Sequence, residues 1–231
     1  MKTTEIIYEN EEIIVINKAA GVSVQGGAGI AHPLDEELSK QMGYKIYLVH
    51  RLDKETSGLM VVAKTPEAAS KWIRMIGGKL VKKEYTAVCF GVPSVKGKAS
   101  MQGTLTDSVK KAGRELSAVT NFKVEKQGKT MSVLHLTLGT GRMHQIRIHL
   151  AKAGAPIVQD DKHGNFKMNK IIRKAGIKTL CLAATKLSVP LNGKTAVFEI
   201  PFPEHIKKAV ENLDWQNTAD GENVQVNDNQ K

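Results

Sequence analysis

The chain has 231 residues, of which 41% are hydrophobic and 25% charged, a balance typical of a globular protein with a substantial core. No apolar run approaches the ~20 residues that span a bilayer, and the first ten residues lack the pattern of a secretory signal. The net charge is +11, and because residues 216–231 carry −2, the rest carries +13. This excess favours a polyanionic partner, nucleic acid above all, although a merely soluble basic surface explains it equally well.

The first ninety residues predict short strands interrupted by two capped helices. EIIYE and IIVINK indicate two strands with a tight connection. Pro33 suits the first turn of a helix over LDEELSKQM, which Gly43 ends. YLVHRL and SGLMVVAK each predict a strand. Thr65 followed by Pro66 predicts the start of a helix over PEAASKWIRMI, ended by a Gly-Gly pair, and KEYTAVCFG predicts a further strand.

The second half continues the same pattern after a polar stretch from Val95 to about Leu116. TNFKVEKQGKTMSVLHLTLG predicts two strands, and GRMHQIRIHLAKAG predicts a helix that ends at Gly154. Asn192-Gly193 predicts a hairpin between TKLSVP and KTAVFEIP, and EHIKKAVENL predicts a last helix. Paired strands with interspersed helices predict an α+β domain, 1–215, on a largely antiparallel sheet. Residues 216–231 lack periodicity and are predicted to be a disordered polar tail.

Several common chemistries find no support in the sequence. His144 and His149 are five residues apart, whereas a helical zinc pair needs a spacing of four, and no Cys-x-x-Cys occurs, so no metal is expected. Phosphate-cradling glycine motifs are absent, and Ser57 lacks the context of a serine nucleophile. Aromatic residues make up only 5%, which disfavours an open stacking platform. Cys89 and Cys181 lie in apolar segments and predict buried, reduced thiols in a cytoplasmic protein.

One carboxylate stands in an unusual setting. In VHRLDKETSGLMVVAKT, Asp53 lies between Arg51 and Lys54, just before a turn and a run of apolar residues. A charged residue at a strand end is usually a solvated bystander, but its place between two cations and ahead of a buried strand suggests more.

Several stretches resemble one family. HRLDKETSGLMVVAK resembles the signature around the catalytic aspartate of RluA-type pseudouridine synthases. IIVINKAAGV resembles their first conserved stretch, KKEYTAVCFG the segment with the active-site tyrosine, and GTGRMHQIRIHLAKAGAPI the arginine-bearing motif. PIVQDDKHG and TLCLAATKLSVP are similar to two weaker C-terminal stretches. These matches follow the family order from about Ile6 to Phe202.

The resemblance implies a pseudouridine synthase fold, a mixed, largely antiparallel sheet with flanking helices around a central catalytic cleft. It implies an isomerase that needs neither metal nor cofactor. The uracil of an RNA uridine is detached at N1, turned, and rejoined to the same ribose through C5. Because stacking and pairing hide the glycosidic bond, the nucleotide has to flip into a pocket. Asp53 then either attacks the ribose C1′ or abstracts a ribose proton, and both remain open.

The resemblance also assigns roles to other residues. Arg147 corresponds to the residue that pairs with the aspartate and favours its ionised form. Tyr85 would stack on the flipped uracil and take part in proton transfer, with a core tyrosine as the structural alternative. Arg51 would lie near the space that the base vacates, with a phosphate contact or a surface pair as its alternative. Ile146 would pack against the base, or is ordinary core.

The remaining basic and histidine residues are expected to bind RNA or to shape the motifs. Substrate choice would fall on the basic surface: Lys79, Lys82, Lys83, Lys110 and Lys111. For Arg142, His144 and His50 a structural role is favoured over a chemical one.

Departures from the family pattern lie outside the predicted centre. Ala19 stands where proline is usual, and Ala183 stands where histidine is common. Gln159-Asp160-Asp161-Lys162-His163-Gly164 replaces a stretch that usually resembles GD-x-x-YG. The accessory RNA-binding S4 domain of many members is expected to be absent, because the first motif begins near residue 6.

The substrate class is inferred from the same likeness. DDKHG and the run after it are most similar to RluC-like members that act on large-subunit (23S) ribosomal RNA. A transfer RNA uridine isomerase and a catalytically silent RNA-binding or ribosome-assembly factor remain as alternatives. The chain is expected to act as a monomer, away from membranes.

Overall fold

Strands dominate the computed structural model, which describes residues 3–111 and 114–214, with the backbone alone for 109–111 and 114–116. No helix in these ranges is long and apolar enough to cross a membrane. The strands are β1 (Glu5–Glu9), β2 (Ile13–Lys18), β3 (Tyr47–Leu48), β4 (Ser57–Ala63), β5 (Lys82–Phe90), β6 (Ser94–Val95), β7 (Lys98–Ala99), β8 (Gln102–Lys111), β9 (Arg114–Gln127), β10 (Met131–Leu138), β11 (Leu182–Leu191) and β12 (Lys194–Glu199).

Ten of these strands form one mixed sheet. Its order is β1-β2-β4-β11-β5-β10-β9-β8, with β12 paired to β11 and β3 paired to β4, while β6 and β7 form a separate hairpin. Within the described strands, β4 and β11 form the parallel pair, through Ala183 opposite Ser57 and Ala184 opposite Gly58. The other pairings are antiparallel, which confirms the α+β prediction.

Five α-helices are found in the described ranges, and the capping signals seen in the sequence act at two of them. The Thr65 hydroxyl accepts a hydrogen bond from the Ala68 amide, with Pro66 in the first helical turn. Gly43, at φ 76°, ends the first helix in the left-handed conformation that glycine adopts without strain. The helices are α1 (Leu34–Met42), α2 (Pro66–Gly77), α3 (Gln145–Lys152), α4 (Phe166–Ile172) and α5 (Glu204–Glu211).

The middle of the sheet is buried on both faces, so β2 and β4 are continuous apolar runs. Ile14, Ile16 and Met60 face the larger hydrophobic cluster, which also contains buried residues of α3 and α5. Ile13 and Val15 face the other cluster, which α2 covers with Trp72. Burial of each such aliphatic side chain contributes about 1.5–3 kcal/mol, and a two-sided core holds β4 rigidly next to the candidate site.

The predicted strand over YLVHRL is wrong after Leu48. The edge of β4 that it would follow is shared: β3 pairs with Val62 and Ala63, while β11 pairs with Ser57 and Gly58. The chain therefore leaves the sheet after Leu48 and continues as an irregular segment, residues 49–56. The His50 ring accepts the Val61 amide proton at 3.1 Å, replacing the bond that a longer strand would have made.

One other expectation is wrong, and two regions contain elements that were not predicted. The described residues of the polar stretch from Val95 to about Leu116 form the β6–β7 hairpin, strand β8 and the first residues of β9, because cross-strand pairing overrides their polar composition. The arginine-motif helix begins only at Gln145, since Met143 and His144 form a turn. Helix α4 was not predicted. The tail over 216–231 lies outside the described residues.

Other local predictions are confirmed. Asn192 and Gly193 have φ values of 49° and 73° and join β11 to β12, as the hairpin signal requires. Both cysteines, Cys89 and Cys181, are free and buried.

Candidate active site

Asp53 lies in the irregular segment just before β4, not on the strand itself. Its carboxylate is 28% exposed, and its backbone carbonyl accepts a hydrogen bond from the Thr56 amide at 3.1 Å, which closes a turn. The next carbonyl, of Lys54, accepts from the Gly21 amide at 2.9 Å. Asp53 is therefore held between the anchored strand β4 and the loop after β2, with its side chain open to solvent.

A buried lysine that sequence reasoning missed ties these two loops together. Lys18 is 1% exposed, and its ammonium donates to the carbonyls of Ala19 and Val22 at 2.9 Å and of Lys54 at 3.0 Å. Burial lowers the pKa of Lys18 to about 8, although the nearby carboxylates of Glu55 and Asp53 act in the opposite direction. Lys18 thus fixes the backbone next to Asp53 and adds a positive charge beneath it.

Tyr85 and Ile146 lie in the buried layer beside Asp53. Tyr85, on β5, and Ile146, on α3, are each 5% exposed and belong to one cluster with Leu52. Burial, and next the Asp53 charge, raise the pKa of Tyr85 far above its ordinary value, so its phenol stays protonated at neutral pH. This apolar wall with one phenol is suited to receive the face of a planar base.

Arg147 does not form the expected ion pair with Asp53. Its guanidinium is 2% exposed and donates to both carboxylate oxygens of Asp160, at 2.8 and 2.6 Å, and to Asp161 at 3.0 Å. The sequence pointed to Arg147 as a cation near the aspartate, and the Asp53 charge does act on it. The sequence did not reveal that Asp160, which is 1% exposed, accepts hydrogen bonds from both Nε and Nη2 of Arg147.

The side chain that contacts the Asp53 carboxylate among the described ion-pair contacts is a histidine for which the sequence favoured a structural role. His144 Nε2 lies 4.0 Å from Asp53 Oδ1, and His144 Nδ1 lies 3.0 Å from His163 Nε2. His144 precedes α3 with φ 53° and ψ 21°, a left-handed conformation that costs a non-glycine residue about 1–3 kcal/mol. Such a backbone persists only where the surroundings hold it in place.

The other predicted RNA-contact residues are dispersed around this centre. Arg51 and Arg142 are exposed, on the segments that carry Asp53 and His144. Lys82 is bound to Glu84 at 2.9 Å, and burial lowers the pKa of Lys83. The side chains of Lys110 and Lys111 lie outside the described residues. Of these predicted residues, Arg51 and Arg142 are thus the exposed cations within two residues of Asp53 or His144 in the sequence.

A separate cavity of about 760 Å³ opens beside the Asp53 loop. Lys18, Glu55, Ser57 and Arg173 contribute to its lining, whereas Asp53 and the residues of the proposed base site do not. In the described ranges, no group of three or more His, Cys, Asp or Glu residues is arranged to hold a metal ion.

The arrangement of an open aspartate against a buried tyrosine and a basic rim agrees with the comparison with known protein families. The family profile described as RNA pseudouridylate synthase matches residues 12–152, which include Asp53, Tyr85 and Arg147. The chain belongs to this family.

Curated relatives support the membership over most of the chain. Ribosomal large subunit pseudouridine synthase D of Neisseria meningitidis is 36% identical over 226 residues, covering 87% of this chain. Ribosomal large subunit pseudouridine synthase C of Escherichia coli is 32% identical over 222 residues, covering 90% of this chain. The chain spans 59% of the length of the first relative and 69% of the second.

Solved structures of this family share the fold. Human RNA pseudouridylate synthase domain containing 4 superposes with a TM-score of 0.72 at 22% identity, covering 90% of this chain and 92% of that chain. Human RNA pseudouridylate synthase domain containing 1 gives a TM-score of 0.70 at 21% identity, covering 86% and 83%.

Proposed function

We propose that the chain is an RNA pseudouridine synthase that isomerises uridines in large-subunit (23S) ribosomal RNA. The observation that carries this proposal is the placement of Asp53, a partly exposed carboxylate held by an anchored turn beside the buried Tyr85. The names of the two curated relatives support ribosomal RNA as the substrate class. The net charge of +11 supports a phosphate-rich partner.

The reaction begins with base flipping, because Asp53 cannot reach a glycosidic bond inside a stacked helix. The N1–C1′ bond breaks and a C5–C1′ bond forms, and the proton lost from C5 is balanced by the proton gained at N1. Asp53 acts either as a nucleophile on C1′ or as the base that removes a ribose proton. No atom or electron is gained or lost, so the chemistry as written requires neither a metal nor a redox partner.

The buried layer would hold the detached base while it turns. Tyr85 offers a ring face and a neutral hydroxyl, and Ile146 offers an apolar contact, so the uracil can rotate without being released. Arg51, exposed and two residues before Asp53, is placed to contact the nucleotides that the flipped base leaves behind. Arg142 and Lys83 extend the basic rim, and Lys82 has to exchange Glu84 for a phosphate in order to contribute.

The role proposed for Arg147 is not that of a direct ion-pair partner of the Asp53 carboxylate. Because its guanidinium binds Asp160 and Asp161, Arg147 ties α3 to the loop over 159–164. Burial lowers the pKa of the Arg147 guanidinium, but Asp160, and next the Asp53 charge acting through space, raise it.

The test is the formation of pseudouridine on unmodified RNA. Large-subunit ribosomal RNA and a pool of transfer RNAs are each incubated with the protein and mapped by carbodiimide-blocked primer extension. Asp53→Asn should lower the rate by at least about 10²-fold, whereas Glu11→Gln, the same change at an exposed carboxylate, should have no effect. Equal activity of the wild type and Asp53→Asn would refute the assigned role of Asp53.

The same assay separates the substrate classes. Stops in ribosomal RNA alone support the proposal, and stops in transfer RNA alone favour a transfer RNA isomerase. No stops in either pool, with binding retained, favour a silent RNA-binding or assembly factor.

We also propose that the protein is a cytoplasmic monomer and that it is active without a metal or a cofactor. Activity in the presence of a chelator and a monomer mass in solution test these two points.

A further inference from the structure

Two histidines from different segments meet next to the proposed catalytic carboxylate. His144 precedes α3, and His163 lies in the loop before α4. Their rings are in edge contact, with centroids 5.3 Å apart, and His144 Nδ1 lies 3.0 Å from His163 Nε2. The opposite nitrogen of His144, Nε2, faces Asp53 Oδ1 at 4.0 Å. Neither histidine has a role in the mechanism described above.

The distance between the rings fixes the number of protons in the contact. Two imidazole nitrogens at hydrogen-bond distance share one proton, since two N–H groups would repel and two lone pairs would not bind. If His144 donates from Nδ1, its Nε2 has only a lone pair to present to Asp53. If His163 donates from Nε2, His144 carries its proton on Nε2 and presents an N–H to Asp53.

The charge of Asp53 selects the second arrangement. A carboxylate 4.0 Å from a ring nitrogen favours an N–H over a lone pair at that nitrogen. Desolvation lowers the pKa of His144, and the charges of Arg147, Lys162 and His163 lower it further, whereas the Asp53 charge raises it. The ring is therefore neutral at neutral pH, and its tautomer is set by its two neighbours.

The backbone around both histidines is fixed by the buried ion pair of Arg147. The Asp160 carboxylate, which binds Arg147, also accepts from the His163 amide at 2.9 Å and from the Lys162 amide at 3.0 Å. His144 is held left-handed at φ 53°, and Gln159, next to Asp160, has φ 60°. The two rings thus meet through strained backbone that one ion pair holds together.

We propose that His144 and His163 are positioning residues for Asp53: His163 fixes His144 as the Nε2–H tautomer, and that N–H attracts the Asp53 carboxylate across 4.0 Å and so biases its orientation. The inference rests on the proposed isomerase function for its kinetic part. No covalent step involves either histidine, and no proton leaves the pair. The pair supplies a neutral donor whose direction is set before the substrate binds.

The first experiment compares two residues of equal length at position 163. Gln retains a donor close to the position of His Nε2, whereas Met does not. His163→Met should lower kcat about tenfold with KM little changed, because orientation is lost while RNA contacts remain. His163→Gln should recover most of that loss. Equal rates for the Met and Gln variants would overturn the proposal.

A double-mutant cycle tests the coupling through the tautomer. A glutamine at position 144 has no tautomer to be set, so His163→Met should cost less than about twofold in a His144→Gln background. A tenfold loss in both backgrounds would mean that His163 acts through something other than His144. His32→Gln is the control, because this side chain is 68% exposed on the surface, and it should not change kcat.

The tautomer can also be measured without substrate. Nitrogen-15 spectra of the imidazoles near neutral pH should show His144 protonated at Nε2 in the wild type and a mixture of tautomers in His163→Met. Predominant Nδ1–H in the wild type would overturn the inference even if the enzyme is active. The expected spectra with no pseudouridine formed would instead place the failure in the proposed function.

Discussion

The ion pair of Arg147 with Asp160 leads to the most demanding test of the structure. Asp160→Asn keeps the shape of the side chain but removes the charge that neutralises Arg147. Asp161→Asn makes the same change one residue later, on an aspartate that contacts the same guanidinium nitrogen at 3.0 Å. The two side chains differ in exposure, 1% for Asp160 and 64% for Asp161, and in the number of hydrogen bonds that they accept.

The difference in burial between Asp160 and Asp161 sets the expected loss in the free energy of unfolding for each variant. Asp160 accepts from Arg147 Nε and Nη2 and from the amides of Lys162 and His163. Loss of its charge leaves a cation that is 2% exposed with only the solvent-exposed Asp161 as an ion-pair partner. Breaking such a buried pair costs about 3–5 kcal/mol of the free energy of unfolding. The exposed pair with Asp161 contributes about 0–1 kcal/mol, because water screens it.

Denaturant unfolding followed by circular dichroism at neutral pH measures both variants. A cost of 3–5 kcal/mol corresponds to a melting temperature lower by about 6–20 °C for a chain of this size. Burial opposes ionisation of Asp160, but the hydrogen bonds from Arg147 and two amides outweigh it and lower the pKa of that carboxyl. This stabilisation is therefore present above the ordinary aspartate pKa and is lost as the pH falls through the lowered value.

Comparable costs for Asp160→Asn and Asp161→Asn, both below about 1 kcal/mol, would refute the reasoning. A second check adds Arg147→Met to Asp160→Asn. If the cost comes from the unpaired cation, the double variant is more stable than the sum of the single effects predicts.

Three further changes test the segments around the site. Burial, and next the charge of Lys83, lower the pKa of His50 from 6.5 to about 3, so stability falls below pH 6.5. By pH 5 the wild type should have lost about 2 kcal/mol more than His50→Gln, as measured by denaturant unfolding. Gly58→Ala would drive a Cβ into the backbone of β11 and should cost about 3 kcal/mol or prevent folding, as judged by soluble yield and melting. Thr65→Ala removes the cap of α2 and should cost about 1 kcal/mol in the same unfolding assay.

Each of these has an outcome that would contradict it. If the free energy of unfolding changes with pH in the same way in the wild type and in His50→Gln, the His50 ring is not held neutral. Gly21→Ala is the control for Gly58→Ala, since Gly21 has φ 82° but open space around it, and its cost should be only about 1–2 kcal/mol. Similar losses at both glycines would exclude the close approach of β11. An unchanged stability of Thr65→Ala would exclude the cap.

Local rules in the sequence determined much of the secondary structure and the identity of the main catalytic candidate. The Thr65-Pro66 start of α2 and the Asn192-Gly193 hairpin follow from backbone preferences within a few residues. Asp53, Tyr85 and Arg147 were identified through motifs that resemble a known family, and the family profile spans all three. Such signals are contained in contiguous residues, so a single sequence is enough to read them.

Contacts between distant segments were decided only by the tertiary structure. YLVHRL has the composition of a strand, but β11 occupies the edge of β4 that it would follow, so Asp53 lies on a turn. Arg147 forms an ion pair with Asp160, thirteen residues further along the chain, and His144 contacts His163 beside Asp53. The physical reason is that a buried charge binds whichever partner the packing of α3 brings within hydrogen-bond distance, and residue spacing along the chain carries no record of that packing.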